Sequence, residues 1–216
     1  ANELVVRFES PVQGGVKLVK TYTLRRSAYD VQVTHEIVNA GSAPVSPQLY
    51  LQLVRGATHS GGNFLTNPTG TFTGPAVYTD AKKFQKIEFT DIEKSKADFQ
   101  KDSTNGYIAM VQHYFASAWI LPDGVKRENF VRKVDANLYS VGTLSPVAPV
   151  APGASQKVES RLFMGPQEEK MLERVAPGLD LVKDYGIFTI IAKPLYWLLD
   201  KIHNVLGNWG WSIMAL

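Results

Sequence analysis

Apolar and polar positions alternate along the first third of the chain. Leu4-Val5-Val6-Arg7-Phe8 is short and β-branched, and Val16 to Leu24 places Val16, Leu18, Tyr22 and Leu24 on one parity. Tyr29 to Asn39 carries the same period of two, and Leu49 to Val54 is a further apolar run. That period predicts half-buried antiparallel strands, separated by turns such as Asn39-Ala40-Gly41-Ser42. Residues 56–80 are rich in Gly, Thr, Asn, Ser and Pro and predict a long surface loop. A strand pair is expected around Phe84 to Phe89 and Tyr107 to Trp119, the second reading as one apolar central strand. Short strands follow near Asn129 to Val134, Leu138 to Val141 and Gln156 to Met164. Ser145 to Gly153 is proline-rich and predicts a loop or sheet edge. Short, evenly spaced strands with turns between them argue for a mainly β sandwich.

The period then lengthens. Pro166, Glu168 and Glu169 open a helix that Arg174 and Pro177-Gly178 close, with charges that complement the helix dipole. A short helix is expected over Tyr185 to Ala192, and Pro194 is expected to start another. In that last helix Leu195, Leu198, Leu199, Ile202, Val205 and Leu206 share an arc of roughly 120°. Asp200, Lys201, His203 and Asn204 lie opposite, and Tyr196 and Trp197 project away from the stripe. Such a helix in isolation reads as core-packed. Trp209 and Trp211 beyond Gly207, followed by uncharged Ser212 to Leu216, shift the reading to a helix at a membrane surface with a corner into a span.

Composition adds mostly exclusions. The chain has 216 residues, net charge +3 and 44% hydrophobic residues, enough for a core and too little clustered charge for nucleic-acid binding. It has no cysteine, which excludes disulfides, thiolate metal sites and a cysteine nucleophile. His35, His59, His113 and His203 lack metal-ligand spacing, and His113 reads as a core histidine in an apolar strand. No nucleophile elbow, phosphate loop or dinucleotide fingerprint is present. Lys82, Lys83, Lys86, Lys94 and Lys96 read first as a solvated, edge-protecting face. No signal peptide precedes Ala1, and no run reaches the roughly 18–20 apolar residues of a span.

Several motifs together carry a resemblance. They are Gln112-His113-Tyr114-Phe115-Ala116-Ser117-Ala118-Trp119-Ile120, Ser60-Gly61-Gly62-Asn63-Phe64, Phe163-Met164-Gly165-Pro166, Val175 to Leu181, Asp184-Tyr185-Gly186, Lys193-Pro194-Leu195 and Gly207 to Ile213. The chain resembles the periplasmic domain of the YidC membrane protein insertases of Gram-negative bacteria. The resemblance implies a β-supersandwich like that of galactose mutarotases, with its first strands upstream of Ala1, and C-terminal α-helices. It implies a sandwich over 1–165, helices over 166–192, an amphipathic interfacial helix over 193–207 and the start of a second transmembrane helix over 208–216. It further implies an inner-membrane, multi-pass protein with this part on the periplasmic side. Such a protein inserts and folds membrane proteins, alone or with the SecYEG translocon, and its insertase groove lies outside this chain. Implied partners are SecD/SecF and SecYEG, nascent membrane proteins and the bilayer surface, with no nucleic acid. No catalytic residue, cofactor or metal is expected. The membrane-interface residues are Leu195, Leu198, Leu199, Ile202, Val205, Leu206, Trp209 and Trp211. A SecF contact falls between Phe64 and Trp119, with Phe64, Lys82, Lys83 and Tyr107 as candidates. A carbohydrate-binding or mutarotase-like periplasmic protein is the alternative, and a cleft for unfolded segments is a third reading.

Overall fold

The computed structural model describes residues 2–57, 72–183 and 189–216. Twelve described strands form two antiparallel sheets. They are β1 (Glu3–Glu9), β2 (Val16–Arg25), β3 (Asp30–Asn39), β4 (Gln48–Gly56), β5 (Gly74–Thr79), β6 (Lys83–Lys86), β7 (Asp102–Ser103), β8 (Tyr107–Val111), β9 (Phe115–Ile120), β10 (Arg127–Asp135), β11 (Leu138–Pro146) and β12 (Ser155–Pro166). The larger sheet runs β1-β2-β3-β12-β9-β8-β5-β6 and the smaller β4-β11-β10-β7. A short helix α1 (Phe89–Glu93) adds Phe89 and Ile92 to the core.

The alternation is used as the sequence predicts in β3 and β4, but not in β2, where the buried residue is Val19 on the opposite parity. Val33 in β3 faces inward, and Leu49 and Leu51 in β4, Tyr139 and Val141 in β11, and Ile108, Met110 and Trp119 in β8 and β9 meet it in one core. Each such side chain stabilises the fold by about 1.5–3 kcal/mol relative to exposure. The inner face does not end where the smaller sheet ends. Register pairs Leu4 with Leu24 and Tyr22 with Val33, so these share one face. Leu4, Phe8, Leu18 and Leu24 on that face are nevertheless exposed. The smaller sheet therefore leaves the β1–β2 end of the larger one uncovered.

Four local expectations change. Residues 74–79 are a strand buried along its whole length between β6 and β8, not part of a loop; the rest of the expected loop, 58–71, lies outside the described residues. Gly74-Pro75 reads locally as a turn, but Pro75 lies near the strand start, where proline is tolerated, and its carbonyl accepts from the Ile87 N–H at 3.0 Å. Tyr107 to Trp119 is a hairpin rather than one strand. The Gln112 N–H donates to the Phe115 carbonyl at 2.8 Å, and the Gln167 side chain donates to the carbonyls of Gln112 and Phe115. Because these strands are central, both faces are apolar, and no alternation marks the reversal. Phe89 begins a helix instead of closing a strand. Ser145 and Pro146 complete β11, and the Ser145 hydroxyl donates to the Lys126 carbonyl.

Helix α2 (Glu169–Val175) has Glu169 in its first turn and Arg174 in its last. Gly178 then takes φ +72°, and a 3₁₀ turn over Leu179–Val182 buries Leu179 and Val182. Tyr107 secures this junction: its hydroxyl donates to the Gly178 carbonyl at 2.7 Å, and its ring stacks on Tyr78 with centroids 5.1 Å apart.

Residues 2–57 and 73–182 form one compact unit that holds the sandwich; Phe72 and residues 183–216 belong to a second. The second contains α3 (Thr189–Leu206) and α4 (Trp209–Ala215). Pro194 lies inside α3 and does not start it. Its fixed φ is helical, and the helix continues through it despite the lost backbone hydrogen bond and the crowding of the preceding turn by its ring. The helix expected over Tyr185 to Ala192 is thus partly the start of α3, and residues 184–188 lie outside the described residues.

Candidate membrane-interface site

Eighteen residues of α3 display the apolar stripe. Leu195, Leu198, Val205 and Leu206 are exposed, Val205 by 84%, while Leu199 and Ile202 are half-buried. A stripe of this kind left open to solvent is a docking face, because each exposed leucine forfeits the gain that burial would bring. The opposite side is amphipathic as well. Lys201 lies over the Trp197 ring, 5.8 Å from its centroid, and Lys183 over Tyr196 at 4.7 Å. No described helix is long and apolar enough to cross a membrane.

Gly207 ends α3 with φ +66°, a left-handed conformation suited to glycine, and its N–H donates to the His203 carbonyl at 2.7 Å. Asn208 then caps α4: its side-chain oxygen accepts from the N–H groups of Gly210 and Trp211 at 2.9 and 3.3 Å. Trp209, Trp211, Ile213 and Met214 are exposed on α4.

The other candidate residues divide. Lys82 and Lys83 lie at the turn into β6, on the outer edge of the larger sheet, and Lys82 pairs with Asp98 at 3.5 Å. Tyr107 is 3% exposed and is a core residue, so it presents no surface to a partner. Burial, aided by Tyr78 and Asp180, raises its hydroxyl pKa above the usual tyrosine range. Phe64 lies outside the described residues.

His113 is exposed in the β8–β9 turn, edge-on to Tyr114, because the strand expected around it reverses there; it is not a core histidine. His35 is on the inner face instead. It donates from Nε2 to the Ser160 hydroxyl at 2.9 Å, and that hydroxyl donates onward to the Val33 carbonyl. Burial, with a smaller contribution from Lys20, lowers its pKa to about 4. Unfolded, the ring titrates near ~6.5. Between these values the unfolded chain binds a proton that the folded chain refuses. Stability is therefore expected to fall as pH drops from about 6.5 to about 4, by about 1–2 kcal/mol after discounting for the water that reaches the ring. His35→Gln should flatten that part of a urea-denaturation pH series; an unchanged slope would assign it to other groups.

Among the described residues no cluster of three or more His, Cys, Asp or Glu could hold a metal. A cleft of about 600 Å³ is lined by Gln48, Gln100, Asp102, Asn105, Lys126 and Glu128 among others. Among its described lining residues there is neither a histidine nor an aromatic ring on which a sugar could stack.

These features define an antiparallel β-sandwich domain trailed by an amphipathic helix with an open apolar stripe. A sequence model of the YidC periplasmic domain matches residues 1–198. The membrane protein insertase YidC of Burkholderia cenocepacia (strain HI2424) is 58% identical over 215 residues, covering 100% of this chain and 38% of that protein. The same protein of Burkholderia multivorans (strain ATCC 17616 / 249) matches at 58% over the same shares. The chain belongs to the YidC periplasmic domain family, which places it on the periplasmic side of the inner membrane. It spans about 38% of the length of these relatives. Among solved structures, a putative aldose 1-epimerase of Escherichia coli K12 is similar at 10% identity and TM-score 0.43, covering 76% of this chain and 65% of its own. A galactose mutarotase-like protein of Lactobacillus casei ATCC 334 is similar at 9% identity and TM-score 0.44, over 76% and 70%. Those two likenesses are loose and lend this chain no chemistry.

Proposed function

We propose that this chain is the periplasmic portion of a membrane protein insertase that aids insertion and folding of inner-membrane proteins, alone or with the Sec translocon. Its own part is interaction and anchoring, not catalysis. The observation that carries this reading is the open stripe of Leu195, Leu198, Val205 and Leu206 on α3, continued by exposed Trp209 and Trp211. Leucines insert at the acyl boundary while tryptophans prefer the headgroup level, and a helix so built lies in the interface plane. The uncharged α4 segment is then the beginning of the next span. Nascent membrane proteins are the substrates, and SecD, SecF and SecYEG are partners. Lys82 and Lys83 are the surface candidates for the SecF contact. The relatives' printed name, membrane protein insertase, supports the reading.

The test is flotation of the chain with phosphatidylethanolamine/phosphatidylglycerol vesicles. Removing two stripe leucines at about 1.5 kcal/mol each predicts roughly 100-fold weaker partitioning for the Leu198→Asp/Leu206→Asp double variant. Both positions are exposed, so the sandwich should melt as before. Equal flotation of parent and variant would remove the interface role from α3.

A further inference from the structure

We infer that His203 and Trp209 form a latch that sets the direction of α4 relative to α3. The connection between the helices is only Gly207-Asn208, and Gly207 is the residue type with the greatest backbone freedom. Nothing lies within 4 Å of the position a Cβ would occupy on Gly207, so no neighbouring atom braces that residue directly. The Asn208 cap organises the first turn of α4, and the fully buried Ser212 reinforces it by donating its hydroxyl to the Asn208 carbonyl at 2.7 Å. Neither of these contacts reaches α3.

The ring stack does. The His203 imidazole in the last turn of α3 lies flat on Trp209, the first residue of α4, with centroids 3.8 Å apart and planes 7° from parallel. The imidazole is placed for its face and not for its polarity: Nδ1 is buried and makes no hydrogen bond among the described residues. A polar atom left in that state is tolerated because the ring's position is set by stacking. His203 is thus a positioning residue. It turns a flexible glycine corner into a fixed elbow, so that the helix bearing the apolar stripe and the apolar segment after it move as one body. What the elbow orients rests on the membrane-interface reading; its rigidity does not.

The chain has no cysteine, so spin labels at Trp197→Cys and Met214→Cys, both exposed positions, report the elbow cleanly. Pulsed dipolar distances would be measured on the full chain in detergent micelles. The parent is expected to give one narrow distribution. His203→Ala should widen it at least twofold. His203→Phe, which keeps the flat ring and discards the unpaired nitrogen, should restore the parent width. Trp209→Ala supplies an independent break from the other side, and the thermal transition of the sandwich checks that each variant is folded. A broad parent distribution, an unchanged width in His203→Ala, or a phenylalanine variant as broad as the alanine one would each overturn the latch. Vesicle flotation is read separately, so loss of the interface reading and loss of the latch are distinguishable.

Discussion

Arg127→Met is expected to destabilise the sandwich by about 3–5 kcal/mol, a large part of the ~5–15 kcal/mol available to a domain. Arg127 is 4% exposed at the start of β10. Its guanidinium donates to five backbone carbonyls: Nε to Val125 at 3.1 Å, Nη1 to Gly106 at 2.9 Å and Leu121 at 3.5 Å, and Nη2 to Thr104 at 3.3 Å and Pro122 at 2.6 Å. All five belong to the two connections that flank the β8–β9 hairpin. Burial lowers the guanidinium pKa, and Asp123 partly opposes that shift. Methionine preserves the side chain's bulk but strands five acceptors. Lysine, with three donors on a point charge, is expected to recover only part of the loss. Urea denaturation of the three proteins checks this. A methionine variant within about 1 kcal/mol of the parent would mean that water satisfies those carbonyls.

Gly106→Ala should cost at least about 4 kcal/mol, from backbone strain combined with a collision that has no flexible partner to yield. Gly106 has φ +89°, and an added Cβ would lie 1.9 Å from the Tyr78 carbonyl oxygen and 3.1 Å from the Thr79 Cα. Gly124 is the control: its φ is +85°, but nothing lies within 4 Å of its Cβ position. Gly124→Ala therefore carries only the conformational cost of about 1–2 kcal/mol. Thermal unfolding separates the two, and equal losses would show that the backbone at Tyr78 moves aside. Because the Gly106 carbonyl is also an Arg127 acceptor, the Gly106 and Arg127 effects are expected to be non-additive.

Much of the sandwich was readable where a strand has one wet face. In β3 the alternation of Val31, Val33 and Ile37 reports the face directly; in β2 it does not, because Leu18 and Leu24 lie beyond the cover of the smaller sheet. It failed at β5 and β8, where both faces are buried and the period of two has no polar phase, and so it missed the reversal between β8 and β9. Tyr107 was a candidate partner contact through the family resemblance alone; the Gly178 carbonyl, 71 residues away in sequence, satisfies its hydroxyl inside the core. Arg127 carried no signal at all, since its five acceptors are backbone atoms whose convergence exists only after folding.

At the C-terminus more was legible. The stripe from Leu195 to Leu206 and the stop at Gly207 follow from spacing and from glycine's tolerance of positive φ. The start of α3 was not, because Pro194 signals a boundary locally, yet the helix runs through it from Thr189. The His203–Trp209 stack was likewise invisible. Six residues apart, the two rings meet only because Gly207 and Asn208 fold the chain back on itself.

By itself, then, the sequence determined a β-rich chain with an amphipathic helix at its end, the family motifs, and the absence of thiol chemistry, because these depend on residue type and near-neighbour period. Only the tertiary structure decided which apolar faces are covered, that Tyr107 and Arg127 act inward, and that the corner after α3 is held by two rings. Those outcomes depend on which groups far along the chain arrive to satisfy a donor, an acceptor or an exposed face, and no local pattern encodes that arrival.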